Sequence, residues 1–128
     1  MLLSSVGRSL TMTLNGAASP NVLTHSAYRD IDLGTLRETW GAKDNQGNGA
    51  TAVDVVAHPA ERTTRVVESI DIYNSDDATA VITMSIAGGD VDPQPMCKFS
   101  IATLEHLCWT PARGWHVLTV NGELRATV

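Results

Sequence analysis

The stretch RVVESIDIYNSDDATAVITMSI, Arg65 to Ile86, decides the fold class. In its second half Ala80, Ile82, Met84 and Ile86 alternate with Thr79, Val81, Thr83 and Ser85. One apolar face and one Thr/Ser-rich face at a period of two describe a half-buried strand. In the first half Val66, Ile70 and Ile72 share a parity interrupted by Glu68, while Asp71 and Tyr73 face the other way. β-Branched residues dominate both runs, as strands prefer. Between them NSDDA, Asn74 to Ala78, supplies side chains that bond their own backbone and tolerate left-handed conformations. The expectation is an antiparallel hairpin.

The same signals recur outward from this segment. Asn121-Gly122 lies between apolar-rich runs in GWHVLTVNGELRATV, and predicts a second hairpin with a type I′ turn. ATAVDVVAHP predicts a strand over Ala52 to Ala57, stopped by Pro59. MCKFSIATLEHLCWT predicts two short strands with a break near Ala102 to Leu104. RSLTMTL places Leu10, Met12 and Leu14 on one strand face, and SAYRDIDL gives a further strand. LGTLRETWG is short enough, between Gly34 and Gly41, to form at most a turn or two of helix. GAKDNQGNGAT and AGGDVDPQP read as loops. The sum is an all-β chain: an antiparallel β-sandwich, jelly-roll-like, of about eight short strands. Residues 1–8 are expected as an N-terminal arm that orders against a partner, and residues 9–128 as one domain.

At 128 residues the chain can bury a core without a metal or disulfide staple. Its formal charge of −5 repels phosphate backbones and anionic lipid, so neither nucleic acid nor membrane is an expected partner. The N-terminus MLLSSVGRSL is too short and polar for a signal peptide or a span.

No constellation calls for catalysis or a cofactor. His25, His58, His106 and His116 share no zinc-like spacing, and only His106 and Cys108, two apart on one strand, make a two-ligand start. The acids Asp76-Asp77 and Asp90, Asp92 lack the spaced oxygen string of a calcium loop and read as solvated turns. No GxSxG elbow or phosphate-binding glycine loop occurs. A two-residue hairpin at Ala102-Thr103 would oppose Cys97 and Cys108 with Cα atoms roughly 4.5–5.5 Å apart, within disulfide reach. Two buried free thiols are the alternative. Trp109 and Trp115 read as closing one end of the core or a subunit contact.

Taken in order, AYRDI, then GNGATAVDVVAHPAERTTRVVESIDIYNSDDATAVITMSI, then KFSIATLEHLCWTPARGWHVLTVNGELR resemble small structural proteins of tailed bacteriophages. The matching elements are Val56 to Ala60, Val67 to Asn74, Thr79 to Ile86 and Gly114 to Gly122. The likeness runs from about Ala27 onward. It departs at ATLE, Ala102 to Glu105, where those proteins carry a glycine-rich turn. The resemblance implies a virion component, assembled in the host cytoplasm, without enzymatic activity. It implies a homo-oligomer, a trimer by preference, that binds capsid, collar or tail proteins as a decoration or fibre-base element. Leu2, Leu3, Leu10, Met12, Trp40 and Trp115 are the candidate interface residues, with plain core as the competing role. The alternative function is a tail-associated module that recognises a host-surface glycan through Trp and Asp side chains.

Overall fold

A computed structural model describes residues 1–4, 7–15, 21–88 and 91–125, with Val91 described by its backbone alone. Among these residues there are ten strands: β1 (Leu2–Leu3), β2 (Ser9–Asn15), β3 (Val22–Asp32), β4 (Glu38–Gln46), β5 (Val53–Val56), β6 (Thr63–Asn74), β7 (Ala80–Gly88), β8 (Val91–Ile101), β9 (His106–Thr110) and β10 (Gly114–Leu118). They form two sheets in which every pairing is antiparallel. The larger follows the order β10-β9-β6-β3-β4, with β1 also on β6, and the smaller β5-β2-β7-β8. This is a β-sandwich. Asp90 lies outside the described residues.

The core forms because inward positions of both sheets are aliphatic. Val22, Val67, Ile70, Ile72, Leu107 and Val117 of the larger sheet face Leu10, Met12, Val55, Ile82, Met84 and Ile101 of the smaller, all of them buried. The parity break at Glu68 is a bulge. Ala27 pairs Ser69 but Tyr28 pairs Val67, so Val67 turns inward alongside Ile70 and Ile72.

The segment that decides the fold class is not a hairpin. β6 belongs to the larger sheet and β7 to the smaller, so Asn74 to Ala78 arches between layers. The reason lies in Asn74, which is completely buried. Its Nδ2 donates to Ala78 O at 2.9 Å and Ile101 O at 3.2 Å, and its Oδ1 accepts from Asp76 N at 3.1 Å. Its backbone N–H donates to Glu105 O, and its carbonyl accepts from Leu104 N. Two apolar strand faces then meet across the core instead of lying side by side.

Three further expectations change. The short helix and following loop are instead the β3–β4 hairpin, closed by Asp32, whose Oδ1 accepts from Gly34 N and Thr35 N, both at 2.8 Å. The loop at AGGDVDPQP is largely strand, with Pro93 and Pro95 in β8, an edge strand where missing N–H groups are tolerated. The C-terminal hairpin turns at Val120-Asn121, with Gly122 N donating to Thr119 O and Gly122 itself at φ +77°. It therefore resembles a type I turn followed by a left-handed glycine, not type I′. The N-terminal stretch contributes β1, and Leu3 joins the core.

Candidate functional site

The outer face of the larger sheet gathers a cluster of titratable side chains from five strands. Strand registers align Asp44 (β4), His25 (β3), Asp71 (β6), Cys108 (β9) and His116 (β10) in one row. The next row is Gln46, Leu23, Tyr73, His106 and Leu118. His25 Nδ1 lies 2.5 Å from Asp44 Oδ1, and His106 Nδ1 lies 2.8 Å from Asp71 Oδ1. The Tyr73 and His106 rings stack with centroids 4.6 Å apart. Leu23, His25, Asp44, Asn45, Asp71, Tyr73 and His106 border an open depression of about 360 Å³.

Further along this face Arg29 donates from Nε to Glu68 at 2.7 Å and from NH1 to Glu38 at 2.6 Å. Its register partner on β4 is Trp40, whose side chain is 68% exposed. The β3–β4 tip adds exposed Leu33 and Leu36, the latter at φ +59°. A branched aliphatic side chain held in the left-handed region is strained, and the tight Asp32 turn holds it there. Leu33, Leu36 and Trp40 are thus three exposed apolar side chains on one hairpin, with the Arg29–Glu38 ion pair between the tip and the indole.

The chemistry available here is limited. The Cys108 thiol donates to Asp71 Oδ1 at 3.6 Å, and burial followed by the Asp71 charge pushes it up to about 12. Such a thiol is a poor nucleophile at neutral pH. Among the described residues no group of three His, Cys, Asp or Glu side chains is arranged to hold a metal ion.

The residues singled out in the sequence scatter. Leu2 and Trp40 are exposed, whereas Leu3, Leu10 and Met12 are core. Trp115 packs half-buried against the core, its ring centroid 5.6 Å from that of Phe99. Cys97 and Cys108 are free and stand in different sheets, so they do not oppose each other. The chain after Ile101 crosses between layers and does not fold back as a hairpin. What sequence reasoning missed is the Asp44–His25–Asp71–Cys108 row, contributed by the β3–β4 hairpin together with β6 and β9 from further along the chain. The one local signal nearby was the pair His106 and Cys108, two apart on β9, of which Cys108 belongs to this row and His106 to the next.

Comparison with protein-family models, curated proteins and solved structures finds no match to this chain.

Proposed function

We propose that this protein is a non-enzymatic structural component of a bacteriophage particle, binding its own copies and neighbouring virion proteins in a capsid-decoration, collar or fibre-base position. One observation carries the binding role: the β3–β4 hairpin presents Leu33, Leu36 and Trp40 to solvent, at 53%, 73% and 68% exposure. Exposed apolar side chains grouped on one element cost solvation unless a partner covers them, and Trp is the residue that most often anchors interfaces. The particle assignment rests on the sequence resemblance in Val67 to Asn74, Thr79 to Ile86 and Gly114 to Gly122. The test is quantitative mass spectrometry of purified particles from the source phage. Many copies per particle support the reading, reduced incorporation of a Trp40→Ala chain localises it, and complete absence from particles sinks it.

A second reading is favoured by the depression beside Tyr73. A half-buried tyrosine ring, an Asn side chain and two carboxylates around an open hollow suit a sugar ring, and would serve a tail module that recognises a host-surface glycan. A glycan array probed with the purified protein separates the two.

A further inference from the structure

Each sandwich edge must manage its unpaired backbone groups, and the four edges here differ. β10 is covered by the chain's own return, with Arg125 N donating to Val117 O and Thr119 N to Glu123 O. β8 carries Pro93 and Pro95 and breaks register twice. β5 has four residues, and the carbonyls of Asp54, Val55 and Ala57 accept from Asn45, Ser26 and Arg65 side chains. β4 is capped only at its end, where Gln46 N–H donates to Asn45 Oδ1 at 2.9 Å and Asn45 Nδ2 donates to Asp54 O of β5. It has nine residues, no proline, no register shift against β3, and no described strand on its far side. Long, flat, unprotected edges recruit another strand.

The direction of its free groups can be read off. Gly47 N donates to Val22 O and Asp32 N to Arg37 O, so odd-numbered residues of this stretch point their backbone at β3. Glu38, Trp40, Ala42, Asp44 and Gln46 therefore point theirs at the open edge. We propose that two copies of this chain pair antiparallel through β4, about a two-fold axis at Ala42. This deepens the assembly reading above and rests on it.

The register follows from charge and length. With Ala42 opposite itself, Trp40 meets the second copy's Asp44 and Glu38 meets its Gln46. All five outward residues then take part, and because Gln46 N–H already donates to Asn45 Oδ1, about eight backbone hydrogen bonds form, two in each of the three central pairs and one in each outer pair. Shifting the axis to Gly41 sets Glu38 against the second copy's Asp44, a like-charge pair, and loses the pairing at Gln46. In the favoured register each indole lies against the second copy's Asp44, beside the His25 bonded to it, at the rim of the depression. The two indoles bury roughly 300–500 Å² between them, below the ~1,200–2,000 Å² of a standard interface. A concentration-dependent dimer is the expected product. Within the trimer that the resemblance implies, the same contact joins trimers in pairs.

Two variants test this. Ala42→Cys places two thiols across the axis with Cα atoms about 5.5 Å apart, so mild oxidation with diamide should give a covalent dimer. Asp44→Cys sets its thiols four residues out of register, about 14 Å apart, and should not cross-link. Gly41 is unsuitable, because a Cβ there meets the Tyr28 ring at 2.7 Å. Ala42→Pro removes only an outward N–H, keeps the β3 pairing, and should abolish association while circular dichroism stays unchanged. No dimer from Ala42→Cys, or equal cross-linking of Asp44→Cys, overturns the proposal. If Ala42→Pro leaves a wild-type oligomer intact, the β4 contact falls while the assembly reading stands. If the wild-type chain is monomeric and missing from particles, both fall.

Discussion

Replacing Asn74 by alanine tests whether the segment Arg65 to Ile86 is an arch between sheets or a hairpin within one. The arch holds a fully buried Asn74 through three side-chain hydrogen bonds: to Ala78 O, to Ile101 O and from Asp76 N. A net contribution of roughly 0.5–1.5 kcal/mol per bond makes the loss about 3 kcal/mol, since the freed groups stay largely out of water. Against a total stability of roughly 5–15 kcal/mol this is a large fraction. For a chain of this size it lowers the Tm by roughly 10 °C. In a hairpin the same asparagine is a solvated turn residue, worth less than about 1 kcal/mol. The assay is urea unfolding followed by tryptophan fluorescence, with Ser75→Ala as control. Ser75 Oγ donates one exposed bond to Asn21 O at 2.6 Å, so that variant should lose under about 1 kcal/mol. An Asn74→Ala protein as stable as the control, with an unchanged m-value, would refute the reasoning.

Three further outcomes are expected. Cys108 should alkylate slowly at pH 8, because burial and the Asp71 charge push its thiol up to about 12. Asp71→Asn should speed Cys108 and leave Cys97 unchanged, as followed by peptide mass spectrometry; equal rates before and after would contradict the Asp71 effect. Arg65→Ala should cost about 2–3 kcal/mol in chemical denaturation. Its guanidinium, with 9% of the side chain exposed, clamps both Asp30 oxygens at 2.8 Å and lies 3.7 Å over the Tyr28 ring. Asp32 is held below the ordinary carboxylate range by the N–H groups of Thr35 and Gly34. A depressed folded pKa stabilises above the unfolded value and is lost as pH falls through the folded one. Wild type should therefore exceed Asp32→Asn in stability at pH 7, and the gap should close in acid; a gap independent of pH would sink this.

The legible parts of the fold are those where burial on one face imprints a period of two. β2, with Leu10, Met12 and Leu14, and β7, with Ala80, Ile82 and Met84, are readable for that reason. β4 is not, because an edge strand with a solvated outer face carries Thr39, Lys43, Asp44, Asn45 and Gln46 and looks like a loop. Pro93 and Pro95 hid β8 in the same way, since only an edge tolerates them. The arch was misread because NSDDA has ordinary turn chemistry; what diverts it is burial of Asn74, a tertiary fact. Of the candidate contact residues, Leu2 and Trp40 are exposed, Leu10 and Met12 belong to the core that their strand parity already serves, and Leu3 joins that core from β1. The His25, Asp71 and Cys108 row was illegible, since register across four strands assembles it.

The most direct test of assembly through β4 is the mass of the purified chain by light scattering across the micromolar range. The account predicts a mass that rises with concentration from 13.7 kDa to an even multiple of it. A mass fixed at 13.7 kDa throughout would contradict it.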